Sequence, residues 1–130
     1  MNNHKWQKFF EICSITLGEG SYTARNSDNW CAWITFERLH EDMRYWRHGL
    51  PAEDEFDARG VKDGGVWGQP FNYDEIAHIV LPRKFTWESF DNNEYRSGTK
   101  IQDIDLVSAL LTKNNIKHRC NDLILEIKLY

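Results

Sequence analysis

Five histidines, three cysteines and twenty carboxylates are the groups in this 130-residue chain able to move protons, bind metals or attack a substrate. A helical metal site needs two ligands four residues apart, as in H-E-x-x-H, because that spacing puts both on one face. His40 is followed by Glu41, but no second histidine stands at that spacing. No metal or cofactor is expected. His78 lies within the apolar run from Glu75 to Leu81. There it is either a general base or pH-sensitive contact, or a histidine hydrogen-bonded within a sheet, and the second reading is preferred. Cys13 falls on the apolar side of a helix, where a packed, inert thiol is expected. Cys120 stands close to His118 and Arg119, and a neighbouring cation lowers a thiol pKa; along a strand only His118 shares its face. The nucleophile and phosphate-binding patterns G-x-S-x-G, G-x-x-x-x-G-K-[ST] and G-x-G-x-x-G are absent. With so many carboxylates, accidental acid pairs carry no specificity. No catalytic residue is assigned.

What remains is the segment from Gly49 to Gly68, GLPAEDEFDARGVKDGGVWG. Its Glu53, Asp54, Glu55, Asp57 and Asp63 oppose only Arg59 and Lys62, so it carries three of the chain's four net negative charges. A loop of this length in a small domain is usually functional or disordered. Phe56 and Trp67 sit inside the polar run and need somewhere to be buried, while one-sign charge steers a basic partner. Glu53, Asp54, Glu55 and Asp57 are therefore the candidate charged contacts. Phe56, Tyr45, Trp46 and Trp67 are the candidate aromatic anchors. Arg38, Arg44 and Arg47 interleaved with Tyr45 and Trp46 also fit single-stranded RNA, but Glu37, Glu41 and Asp42 cancel much of that field.

These residues need a frame. Trp6, Phe9, Phe10, Cys13 and Leu17 recur at helical spacing and predict a helix over Lys5–Leu17, with Ile12 and Ile15 broadening its stripe and Gly18 and Gly20 ending it. Ser21–Asn26 is read as a short strand forming a hairpin with Trp30–Phe36, whose residues alternate between faces. Arg38–His48 fits a helix through Leu39, Met43, Trp46 and Leu50, and fits a strand equally well. Glu75–Leu81 is a buried strand closed by Pro82. Thr99 and Gln102 have capping-box spacing, which predicts a second helix over Thr99–Asn114 with Ile101, Ile104, Val107, Leu110 and Leu111 as its stripe. Ile116–Cys120, an Asn121-Asp122 turn and the alternating Leu123–Tyr130 close the chain, the last as a paired strand. The expected fold is α+β: residues 1–130 as one domain, a two-layer sandwich with a mainly antiparallel sheet and two helices on one face.

Composition excludes several function classes. Hydrophobic residues at 41% and aromatics at 14% suit a folded domain. A net charge of −4 disfavours direct nucleic-acid binding. An odd cysteine count without C-x-x-C spacing favours a reducing compartment, and no apolar run approaches a membrane span, so a cytoplasmic protein without a membrane partner is expected.

The Lys5-Trp6 helix, the strand Ile76-Ala77-His78-Ile79-Val80-Leu81-Pro82, the Gln102-Asp103-Ile104 helix opening and the Leu123–Tyr130 ending resemble a group of small bacterial proteins. They also resemble the immunity proteins of contact-dependent growth inhibition and other polymorphic toxin systems. The resemblance covers mainly the first helix and the second half of the chain. It implies a small acidic cytoplasmic protein that binds a cognate toxin domain, often a nuclease, and blocks its active site. The central segment has no counterpart in it. A nuclease's basic cleft would take the acidic segment as a nucleic-acid mimic. Two alternatives stay open: a small enzyme using His78, His118 or a carboxylate pair in a cleft, and an RNA-binding module using Arg44, Tyr45, Trp46 and Arg47.

Overall fold

The computed structural model describes residues 1–42 and 44–130. Helix α1 (Asn3–Leu17) begins where the Asn2 side chain accepts a hydrogen bond from the Lys5 N–H at 2.8 Å, satisfying one of the free donors of the first turn. It buries Trp6, Phe9, Phe10, Ile12, Cys13 and Leu17. Ile15 does not broaden the stripe; it is 84% exposed, because it falls on the opposite side of the helix.

Strands β1 (Cys31–Thr35), β2 (Trp46–His48), β5 (Ile76–Pro82), β8 (Arg119–Cys120) and β9 (Ile124–Lys128) form an antiparallel sheet in the order β2-β1-β5-β9-β8. The register aligns Trp46, Trp33, Ile79 and Ile127 across four strands, so these side chains share one face. Cys31, Leu81 and Leu125 lie on that face too, and all join one core with α1 and with Ile104, Val107 and Leu111 of helix α3 (Ile104–Lys113). The fold is α+β, with α1 and α3 packed on the same sheet face. A short helix, α2 (Phe36–Glu41), follows β1 directly.

Two ribbons stand outside this sheet. One pairs β3 (Gly60–Val61) with β4 (Phe71–Asn72); a side chain on Gly60 would run into the Phe71 carbonyl, so only glycine lets the strands lie this close. The other is the hairpin of β6 (Lys84–Asp91) and β7 (Glu94–Ile101). Its turn residues Asn92 and Asn93 have φ of 51° and 62°, the left-handed values a two-residue hairpin turn requires.

Three expectations are corrected, and one open reading is decided. Ser21–Asn26 is not a strand and forms no hairpin: the Ser21 N–H donates to Ser27 Oγ at 2.9 Å, and the chain turns through a short 3₁₀ helix at Ala24–Asn26. Strand β1 pairs with β2 and β5 instead. The Arg38–His48 stretch divides, helical to Glu41 and extended from Trp46, while Met43 lies outside the described residues. The second helix starts at Ile104, not Thr99, because Thr99–Ile101 belong to β7 and Asp103 is the cap, accepting from the Leu106 N–H at 3.0 Å. Ile101 is accordingly 78% exposed and outside the helical stripe.

Gln102 has a different task from the expected capping one. Its side chain is buried, accepts from the Trp30 N–H (3.0 Å), and donates to the carbonyls of Trp30 (2.9 Å) and Pro82 (2.8 Å). It thereby ties the starts of β1 and α3 to the end of β5. The Asn121 turn holds as expected, with Asn121 Oδ1 accepting from the Leu123 and Ile124 N–H groups. No helix among the described residues is long and apolar enough to cross a membrane.

Candidate functional site

The segment 49–68 is not a solvated loop. Pro51, Phe56, Val61, Val66 and Trp67 along it are buried. The Trp67 ring stacks on Trp33 of β1 at 3.7 Å between centroids, and its indole N–H donates to the Gly49 carbonyl at 3.0 Å. Phe56 packs on Phe10 of α1 at 5.7 Å. Phe56 and Trp67 are therefore core anchors holding the segment down, and the expectation that they contact a partner is corrected. A large apolar group in a polar run did need burial, and found it within the chain.

The carboxylates divide by task. Glu55 Oε2 accepts from the Val66 N–H at 2.7 Å, closing the segment across its middle. Asp57 Oδ1 accepts from the N–H groups of Arg59 (2.8 Å) and Gly60 (3.2 Å). The Arg59 N–H bond is the main cause holding the Asp57 carboxyl below its ordinary pKa of 3.8. Both residues serve the local backbone. Glu53 and Asp54, on a 3₁₀ turn at Glu53–Glu55, are exposed and make no side-chain hydrogen bond or ion pair among the described residues. Asp63 and the cations Arg59 and Lys62 are exposed and unpaired among the described residues as well, so Glu53 and Asp54 are the adjacent pair of free carboxylates on the turn.

A cleft of about 340 Å³ opens just beyond it, between Gln69-Pro70-Phe71 and α2. Glu37, Glu41 and Glu75 line it, with Arg38 as the opposing charge. The Arg38 guanidinium lies 4.5 Å over the Trp46 ring, and Glu75 Oε2 accepts from the Asn72 N–H at 2.7 Å. Helical i,i+4 spacing puts Glu37 and Glu41 on one face of α2, while Glu75 joins them only through the tertiary fold.

Tyr45 and Trp46 diverge, as neighbours in an extended chain must. Trp46 turns to the core face and stacks near Trp33 at 6.3 Å. Tyr45 turns to the other face, where its hydroxyl lies 2.6 Å from His78 Nδ1 and 3.3 Å from the Tyr130 hydroxyl. His78 Nε2 lies 2.8 Å from Glu126 Oε2. An ionised Glu126 can only accept, so Nε2 carries a proton toward it, and in a neutral ring Nδ1 then accepts from Tyr45. Burial is the first cause that pushes the Tyr45 phenol above its ordinary value, which keeps the proton on its oxygen and suits it as that donor. Both ring nitrogens of His78 are thus engaged, the arrangement of a histidine bonded within a sheet. Glu126 and Tyr130 carry no signal of their own in the sequence; they meet His78 because β9 pairs with β5.

The remaining sequence candidates do not converge. His118 donates from Nδ1 to the Ile116 carbonyl (2.8 Å) and accepts at Nε2 from Ser108 Oγ (2.7 Å), turned to α3 and not to the exposed Cys120. Cys13 and Cys31 are buried, and burial pushes both thiols up, away from reactivity. Arg44 pairs with Asp42 at 2.8 Å, and Arg38 already occupies one face of Trp46, so the Arg44–Arg47 run presents no continuous stacking platform. No group of three or more metal-ligating side chains gathers among the described residues. No protein-family model, curated protein or solved structure matches the chain.

Proposed function

We propose that this chain is an immunity protein, which binds and neutralises a cognate toxin domain, a nuclease with a basic substrate cleft, by covering that cleft. The observation that carries the reading is the way Glu53 and Asp54 are presented. They stand exposed on a short turn whose neighbours Pro51, Phe56, Val61, Val66 and Trp67 are pinned in the core. Charge held on a fixed frame loses little freedom on binding, and that preorganisation converts into affinity. The acidic cleft lined by Glu37, Glu41 and Glu75 extends the same sign of charge beyond the segment and suits an inserted lysine or arginine of the toxin. The partner surface in this reading consists of Glu53 and Asp54 with that cleft. Glu55, Asp57, Phe56 and Trp67 support it by holding the segment's backbone in place, and Trp46 forms the cleft wall.

The test is growth protection in the cytoplasm. Cells expressing the toxin domain encoded beside this chain's gene are expected to survive when the chain is co-expressed. Glu53→Lys/Asp54→Lys is expected to lose that protection while remaining folded. Full protection by this folded double variant would remove the acidic turn from the interface. Failure of the wild-type chain to protect would remove the toxin reading itself.

A further inference from the structure

A second concavity, of about 420 Å³, lies at the open end of the main sheet between the start of α1 and the β8–β9 edge. It shares no residue with the acidic surface, and its charge has the opposite sign. Lys5, Lys117, Arg119 and Lys128 surround it, against one carboxylate, Glu126. That carboxylate is already engaged: Oε2 bonds His78 at 2.8 Å, and Oε1 lies 4.0 Å from Arg119. Lys5, Lys117 and Lys128 form no ion pair among the described residues; the Lys128 ammonium rests 4.7 Å from the centre of the Tyr130 ring. Four cations around one cavity repel one another, in a chain whose net charge is −4. Such a grouping costs electrostatic energy that a bound polyanion would offset.

The backbone adds a donor. The Leu129 N–H bonds the Ala77 carbonyl at 2.9 Å, so alternation along the strand turns the Lys128 N–H away from β5. On that side β8 pairs only with Leu125 and Glu126, leaving the Lys128 edge uncovered. With β9 ending at Lys128, the free edge is too short to seat an added strand. A compact ligand fits better than a peptide. The exposed Tyr130 ring and Leu129 line the same cavity and offer apolar surface to the body of such a ligand.

We infer that this cavity is a binding site for a small organic polyphosphate, its phosphates held by Lys5, Lys117, Arg119 and Lys128 and its apolar body against Tyr130. The inference does not depend on the toxin reading. The probes are ADP and inorganic pyrophosphate, titrated into the whole chain by calorimetry at low salt. Both are expected to bind saturably with one equivalent. Lys117→Gln/Arg119→Gln, two exposed positions, is expected to weaken both by about tenfold or more, since each charge-assisted contact contributes on that scale. Lys84→Gln/Lys113→Gln, which removes two exposed lysines outside the cavity, is expected to leave both unchanged. Tyr130→Ala is expected to weaken ADP and not pyrophosphate. Absence of saturable binding up to about 10 mM, a concentration that would still reveal a very weak site, overturns the proposal. So does equal weakening by the Lys84/Lys113 control. Weakening of ADP and pyrophosphate alike by Tyr130→Ala would overturn the placement of the apolar body.

Discussion

Within the segment 49–68, residues of one chemical type have separate tasks, and those tasks are experimentally separable. Trp67 is joined to Trp33 by a 3.7 Å stack and to Gly49 by its indole N–H, so truncating it empties the core and leaves the Gly49 carbonyl only the weak Cys31 thiol as donor. Trp67→Ala is expected to cost about 3–5 kcal/mol in denaturant unfolding, the range for a buried tryptophan. Glu53→Lys/Asp54→Lys, at exposed positions without partners, should stay within about 0.5 kcal/mol of the parent. A Trp67→Ala variant as stable as the parent would mean that the ring is no anchor. The aromatic content of the segment was legible in the sequence, but its direction was not. A tryptophan in a polar run points to burial of some kind, and only the tertiary stack on Trp33 decides that the burial is internal. Similarly, acidic composition did not distinguish Glu55 and Asp57, which bond backbone N–H groups, from Glu53 and Asp54, which face water.

At the scale of elements, Gln102 is the joint on which α3, β1 and β5 meet. Its removal leaves the Trp30 N–H and two carbonyls without their partner in a buried site. Gln102→Ala is therefore expected to destabilise the fold by about 2–3 kcal/mol, checked by chemical denaturation. A change below half of that would show that water replaces the amide readily. The spacing of Thr99 and Gln102 imitates a capping box, which explains why sequence pattern places the helix start five residues early. Local pattern cannot reveal that Thr99 is already paired with Thr86 across the hairpin. Where one stripe dominates, as in α1, β5 and β9, periodicity locates the element to within a few residues. The β6–β7 hairpin escapes because its outer face is exposed throughout, including Phe90 and Tyr95, so it lacks a clean apolar-polar alternation. Its one local signal is Asn92-Asn93, a pair suited to positive φ. Ser21–Asn26 fails in the opposite way: serine and asparagine side chains supply the turn with bonds that a ladder would otherwise provide.

For the whole molecule, the α+β class and the sharing of one sheet face by α1 and α3 follow from stripes visible in the sequence. The distribution of charge does not. Folding brings Glu75 to Glu37 and Glu41 of α2 beside the acidic segment, and gathers Lys5, Lys117, Arg119 and Lys128 around another concavity. The proposed toxin-binding reading depends on the acidic region being a rigid part of the domain, since a flexible acidic tether would spend binding energy on its own ordering. Amide hydrogen exchange of the free protein measures that rigidity directly. The Lys62 N–H donates to the Glu55 carbonyl, the Asp57 N–H to the Gly60 carbonyl and the Val66 N–H to the Glu55 carboxylate. All three are expected to exchange at least about a hundredfold more slowly than free-peptide amides. Exchange of these amides at free-peptide rates, while the β5 core stays protected, would contradict the account and return the segment to a solvated connection.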